Sequence, residues 1–142
     1  MAVNGDGMIV STSDTLRYLT RFSDGFHEAA SDTTGDKGGG NAGFRPHDLL
    51  EAALATCVNM TIRMFAEKRA IPLHAVKTRV KLDRSMPDEA IFHYHVDLEG
   101  DLSAAQKEEL LRAAASCPVR RTLSKQLRFE SNSEMTDVRI HP

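Results

Sequence analysis

The chain has 142 residues and a formal net charge of −2, with acidic and basic residues interspersed. This fits one domain with its own hydrophobic core and excludes a nucleic-acid surface, which needs a basic stripe. Tryptophan is absent and aromatic residues are few, so the core is expected to be built from Leu, Val, Ile, Ala and Met.

The N-terminal segment MAVNGDGM has neither a basic region nor an apolar region of the kind that starts a signal peptide. No run is expected to approach the ~18 apolar residues of a membrane span. A cytoplasmic protein without membrane contact follows as the expectation. Thiols are kept reduced in that compartment, so a disulfide there is catalytic or sensing rather than structural.

Gly5-Asp6-Gly7 reads as a turn before Met8-Ile9-Val10. Thr15 to Phe22 is rich in strand formers, Asp24-Gly25 is a hairpin signal, and Phe26 to Ala30 is the expected returning strand. The stretch SDTTGDKGGGNAGF that follows is too polar for a regular element and reads as a glycine-rich loop. It lacks the G-x-x-x-x-G-K-[ST] order of a phosphate-binding loop, and no apolar strand precedes it.

Pro46 suits the first position of a helix. From His47 to about Arg69, Leu49, Leu50, Ala53, Leu54, Cys57, Val58, Thr61, Ile62 and Phe65 recur at helical spacing. Ala52, Ala55 and Met60 extend the apolar surface almost all round, which predicts a buried helix. Pro72 forbids its continuation.

Leu73 to Leu82 alternates, with Val76, Thr78, Val80 and Leu82 on one face and Lys77, Arg79 and Lys81 on the other. After a turn at Met86-Pro87-Asp88, Ile91 to Leu98 alternates again, with Phe92, Tyr94, Val96 and Leu98 on one face. The pair predicts an antiparallel hairpin with one buried side. Ser103-Ala-Ala-Gln106 is a capping box, so a helix begins there. Pro118 opens a second, short helix with Cys117 at its N-cap. Gln126 to Glu130 and Val138 to Ile140 read as terminal strands. Segregated blocks of strands and helices give the α+β class.

Cys57 and Cys117 are the two cysteines. Free cysteine often serves as a small buried hydrophobe, and that reading stands beside a redox pair assembled by the fold. As a nucleophile each would be governed by its thiolate fraction. Cys117 at a helix N-cap, with Arg120 and Arg121 close in sequence, is expected to have a lowered pKa. Cys57, inside an apolar helix, needs a cation or donor, for which Arg17, Arg21, Lys37, Arg45 and His47 are the upstream candidates. His93 and His95 share a strand face, but no cysteine or carboxylate accompanies them at ligand spacing, so a solvated face is expected and no metal site.

The block GFRPHDLLEAALATCVNMTIRMFA resembles the first cysteine motif of the OsmC/Ohr family, and AASCPVRRTL, after LSAAQKEELL, resembles the second. The resemblance covers most of the chain as a single domain of residues 1–142. It implies an OsmC-like fold, with antiparallel sheets around a long cysteine-bearing helix in an intertwined homodimer. It also implies an antioxidant, stress-response activity: reduction of organic hydroperoxides without a bound cofactor. Cys57 would attack the peroxide, Cys117 would resolve the sulfenic acid as a disulfide, and a dithiol such as a lipoyl group would restore both. Met60, Met64 and Phe65 are candidates for an apolar substrate pocket.

The family's peroxidase branches activate the first thiol with an upstream arginine and a glutamate directly after the helix-opening proline. This chain has His47 there, with Asp48 next, and Arg21 and Arg45 flank the glycine loop. His47, Arg21 and Arg45 are therefore the thiol-activating candidates. The pattern is similar to the broad OsmC-like branch. The other reading it allows is a non-peroxidatic protein binding a small apolar or thiol-containing ligand at the dimer pocket.

Overall fold

The computed structural model describes residues 7–132. These fall into two compact units, one extending to Asp48 and resuming at Arg128, the other formed by Leu49–Leu127.

In the first unit, β1 (Val10–Ser13), β2 (Thr20–Ser23) and β3 (Glu28–Ser31) form an antiparallel meander in the order β1-β2-β3. The strands are shorter than the residue types predict because two aspartates take up backbone donors at the turns. Asp14 Oδ1 accepts from the Thr15 and Leu16 N–H groups, and Leu19 N–H closes back onto the Leu16 carbonyl at 2.8 Å. Residues 15–19 are therefore a turn, with Arg17 at a φ of 38°, and β2 begins only at Thr20. Asp24 Oδ1 accepts from Phe26 and His27, which makes Asp24–His27 the hairpin loop and delays β3 to Glu28.

The glycine-rich stretch contains one short 3-10 turn, Gly35–Lys37, and is organised by a buried carboxylate. Asp32 Oδ2 accepts from Gly40 N–H at 3.2 Å and Ala42 N–H at 3.0 Å, while Oδ1 accepts from Thr33 N–H at 2.7 Å. The N–H of Asp32 and the Ser31 hydroxyl both bond the Phe44 carbonyl, closing the loop on itself. The Ala42 and Thr33 bonds, with Gly40's, outweigh the cost of burial and hold the Asp32 carboxyl below its ordinary value of 3.8.

The second unit holds the main core. Helix α1 (Pro46–Lys68) starts in the first unit and runs through it. The 23-residue α1 is long and apolar enough by length and composition to cross a membrane, which corrects the expectation that no run approaches this. Its apolar residues nonetheless have partners. Leu54, Val58, Ile62 and Ala66, spaced by four, form one buried ridge. They pack with Val76 and Val80 of β4 (Leu73–Asp83), Phe92, Val96 and Leu98 of β5 (Ile91–Gly100), and Leu110 and Ala114 of α2 (Ala104–Ala114). The expectation of burial all round fails: Leu50 is exposed, and Met60 and Met64 are 59% and 60% exposed. Within the second unit, the described elements cover only one side of α1.

The hairpin β4–β5 keeps the predicted alternation, with Lys77, Arg79 and Lys81 outward. Leu73 and Val76 both reach the core although they are three residues apart. A bulge between Leu73 and Ala75 supplies the missing residue of phase. Gly100, at a φ of 150°, lies opposite it, where a side chain would collide with the Pro72 carbonyl. Arg63 of α1 ties the bulge down, donating to the Leu73 carbonyl at 3.0 Å and the His74 carbonyl at 3.1 Å.

The Ser103 capping box forms in full and starts α2. After α2, the helix α3 (Pro118–Leu123) opens with Cys117 as its N-cap. Gln126 to Glu130 is not a strand, correcting that expectation. A strand needs a neighbour to receive its ladder, and none pairs with this segment among the described residues; Phe129 is 93% exposed. The expected strand at Val138–Ile140 lies outside the described residues. The α+β class with antiparallel sheets and a long helix holds.

Two outcomes follow. Ile62→Ala leaves a cavity in the fully buried ridge and should cost about 2–5 kcal/mol in urea denaturation, whereas Lys81→Ala on the exposed face should stay within about 0.5 kcal/mol. Because the folded pKa of Asp32 is lowered, its stabilisation is present above pH 3.8 and is lost as pH falls through the lower folded value. The Gly40 and Ala42 amide resonances should therefore titrate together in acid. Asp32→Asn should abolish that titration and raise amide exchange in the loop at neutral pH; unchanged loop amides would refute the role.

Candidate active site

Cys57 and Cys117 come together in the second unit. Cys57 sits midway along α1, beside the buried ridge and half-buried. Cys117 is fully buried and belongs to the same core cluster, against which Cys57 packs. Both are free thiols.

The corner between α2 and α3 presents Cys117. Its N–H bonds the Ala114 carbonyl at 3.2 Å, and its carbonyl accepts from Arg121 N–H at 3.1 Å. Ser116 Oγ donates to Ala113 at 2.7 Å and Arg120 Nη1 to the Ala115 carbonyl at 2.9 Å, so both side chains fasten the corner. Pro118 at the first helical position has no N–H to offer. The next amides, on Val119 and Arg120, belong to the first turn of α3, where backbone donors have no partner within the helix.

The two thiols have unequal environments. Burial alone would push the Cys57 thiol up. Hydrogen bonds received from the Cys117 thiol, the Val119 N–H and the Thr61 hydroxyl overcome that and hold it below the ordinary cysteine value. At Cys117 burial also pushes upward, and its hydrogen bond to Cys57 adds to the rise. The Arg120 and Val119 amides oppose it, a charge on Cys57 raises it again, and the net direction is up. This reverses the expectation for Cys117. The N-terminal field of a 6-residue helix does not offset complete burial, and the Arg120 guanidinium is turned to the Ala115 carbonyl. Cys57 is thus the more acidic thiol of the pair and Cys117 the less acidic.

The upstream candidates are placed as follows. Arg21 Nε donates to Asp14 at 2.9 Å, and its guanidinium lies 3.8 Å from Glu28. Arg45 precedes α1, and Asp48 grips it three ways: through its N–H at 2.9 Å, Nε at 3.1 Å and Nη2 at 2.8 Å. His47 is exposed in the first turn of α1. Arg17 donates to the Gly38 carbonyl at 3.0 Å. Glu51, one turn into the helix, accepts from Leu82 N–H at 2.9 Å and so fastens α1 to β4.

Of the pocket candidates, Phe65 packs on the core with the Arg69 guanidinium 5.2 Å from its ring. Met60 and Met64 continue the exposed side of α1 adjoining Cys57. His95 bonds Asp97 at 3.0 Å, and the same carboxylate meets Arg79 at 2.8 Å. Among the described residues no group of three or more His, Cys, Asp or Glu could hold a metal ion.

Sequence reasoning missed Thr61 and the Val119 amide as donors to Cys57. Both had a signal. Thr61 follows Cys57 by four residues, the spacing of helical neighbours. Val119 is the first residue after Pro118 able to donate.

Comparison with known proteins bears on the fold and the family. A search of curated protein sequences found no match. Among solved structures, the chain is similar to an osmotic stress-induced and detoxification response protein from Psychrobacter arcticus 273-4, at 21% identity and a TM-score of 0.70 over 84% of this chain and 89% of that one. An OsmC-like protein from Mycoplasma pneumoniae superposes with a TM-score of 0.72 at 17% identity, over 84% of this chain and 87% of that one. An organic hydroperoxide resistance protein OsmC from Legionella pneumophila gives 0.60 at 20% identity, over 82% of this chain and 88% of that one. The family model described as OsmC-like protein matches residues 38–132, which take in the second half of the glycine loop, the cysteine helix, the hairpin and the second cysteine. With the family model matching residues 38–132 and the fold shared with those structures, this chain belongs to the OsmC-like protein family.

Proposed function

We propose that this protein is a thiol-dependent peroxidase that reduces organic hydroperoxides. The observation that carries the reading is that Cys57 packs against the core cluster holding Cys117, with the Cys57 thiol held below the ordinary cysteine value and the Cys117 thiol pushed above it. Similarity to the Legionella protein, itself described by organic hydroperoxide resistance, supports it.

The Cys57 thiolate attacks the terminal oxygen of ROOH. An S–O bond forms, the O–O bond breaks, and the alkoxide takes up a proton to leave as ROH. Cys57 is then a sulfenic acid. The Cys117 sulfur attacks it, the disulfide forms, and the hydroxyl leaves as water with the Cys117 proton. A dithiol reductant, lipoyl-type or another, exchanges with the disulfide and is itself oxidised to a disulfide, returning both cysteines to thiols. Such a cycle suits a reducing cytoplasm.

The working form is a homodimer. The exposed side of α1 bearing Leu50, Met60 and Met64 is apolar surface that a second copy would cover. The ribbon β4–β5, long and paired with no third strand among the described residues, has edges open to further strands. Covered in this way, the side of α1 adjoining Cys57 becomes an apolar pocket suited to an alkyl or aryl hydroperoxide.

One equivalent of cumene hydroperoxide, followed by quenching and mass spectrometry, should yield a Cys57–Cys117 disulfide. Cys57→Ser should leave the protein inert, and Cys117→Ser should stop at a Cys57 sulfenic acid trappable by dimedone. A reduced Cys57 in folded protein after this treatment would overturn the reading in favour of ligand binding without turnover. For the assembly, sedimentation equilibrium should give twice the chain mass, and Met60→Glu with Met64→Glu should dissociate it; a monomeric wild type refutes the dimer.

A further inference from the structure

Several arginines of this chain meet a carboxylate closely. Arg21 reaches Asp14 at 2.9 Å, and Arg45 reaches Asp48 and Arg79 reaches Asp97, each at 2.8 Å. The corner that presents Cys117 is different. From Leu110 to Phe129 the chain carries Arg112, Arg120, Arg121, Lys125 and Arg128 and not one Asp or Glu. The first four lie in the second unit with the two cysteines. Arg112 is in the last turn of α2, Arg120 and Arg121 are in the last turn of α3, and Lys125 follows it.

The geometry leaves this charge unanswered. Arg112 comes no nearer than 3.8 Å to Glu108, and both side chains are largely exposed. Arg120 spends Nη1 on a neutral acceptor, the Ala115 carbonyl, at 2.9 Å. Arg121 and Lys125 form no ion pair among the described residues, and both are exposed. Arg121 N–H bonds the Cys117 carbonyl at 3.1 Å and Lys125 N–H bonds the Thr122 carbonyl at 3.1 Å, so the helical turn runs on and their side chains share one side. Like charges at that spacing repel. A helix end favours cations in its last turn, which suits Arg120 and Arg121, but Lys125 lies beyond that turn and Arg112 on another helix. Stability of the fold does not account for the set.

We propose that the α2–α3 corner is an anion-steering surface that draws a small dithiol bearing a carboxylate to the Cys57–Cys117 disulfide. The proposal rests on the disulfide cycle above and adds the charge of its reductant. One thiolate of the reductant attacks the disulfide. A mixed disulfide forms, the bond between the two cysteines breaks, and one of them leaves as a thiolate. The second thiol of the reductant then displaces the other cysteine. The reductant ends as its own disulfide, and its two protons pass to the cysteines. Both the carboxylate and the attacking thiolate are negative, and the whole chain, at −2, repels them. A local excess of positive charge reverses that at the place of reaction. The sign of the salt effect therefore separates the corner from the molecule as a whole.

The test uses two reductants that differ in one charge. The disulfide is closed beforehand with diamide, which oxidises the two thiols and takes up their hydrogens. It is then reopened with dihydrolipoate, an anion at neutral pH, or with its neutral amide, and free thiols are counted by maleimide labelling and mass spectrometry. At about 0.01 M ionic strength, where charges act over about 30 Å, the acid should react roughly three- to tenfold faster than the amide. At about 1 M, where that range falls to about 3 Å, the advantage should vanish. Arg121→Gln with Lys125→Gln should remove it at low salt, and Arg121→Glu with Lys125→Glu should reverse it. Lys77→Gln with Lys81→Gln, on the exposed face of the hairpin, should keep it. Equal rates for acid and amide would overturn the proposal, as would a slower acid at low salt, which net charge alone demands. An equal loss in the hairpin variant, or a pair that diamide cannot close, would also overturn it. A disulfide that diamide forms and the acid reopens faster, in a protein that leaves cumene hydroperoxide untouched, would sustain the corner and reject the peroxidase reading.

Discussion

The rest of the second unit depends on the packing of one helical ridge, Leu54, Val58, Ile62 and Ala66, into a core that also contains Cys117. The four residues of the ridge are spaced by a helical turn and a fraction, so they present one continuous apolar edge. That edge receives the inner face of the hairpin β4–β5 and the buried side of α2. Once α2 is seated by Leu110 and Ala114, the chain that leaves it must turn within a few residues, and Cys117 is at that turn. Core packing therefore sets how near the two sulfurs come. The same side chains that stabilise the unit bring the two thiols together.

Burial and reactivity oppose each other at such a place. A thiol sunk in an aliphatic core is inert unless its charged form is compensated. Here the compensation is local and uses no formal charge: one hydroxyl, one backbone amide and one thiol. Complete burial of Cys117 pushes its thiol up, which makes it the weaker acid of the pair. The asymmetry of the pair arises because Cys117 is wholly enclosed and Cys57 is only half-buried.

Much of this was legible in the amino-acid sequence because it depends on period and punctuation. The cysteine helix, the alternating hairpin, the Ser103 capping box and the Pro118 start each carry a short-range signal. The meander was less so, because the carboxylates of Asp14 and Asp24 compete for backbone donors and shorten strands that residue types alone would lengthen. Gln126–Glu130 has the composition of a strand, but composition cannot supply a partner. The sign at Cys117 was misread for a related reason: the helix start and nearby arginines are local facts, whereas complete enclosure is decided by α1 and α2 from far away in the chain.

The bulge at Leu73–Ala75 has a bearing on which length changes this lineage can absorb. It is the point where the hairpin's inside and outside are assigned, with Gly100 across from it and the Arg63 guanidinium holding its two carbonyls. Loss of one residue there would carry Lys77, Arg79 and Lys81 into the aliphatic interior and expel Val76, Val80 and Leu82. The connection at Met86-Pro87-Asp88 bears no such assignment, since a residue gained or lost there changes only the span between two strands already in phase. Insertions and deletions should therefore accumulate at the tip of the ribbon and be purged at its base.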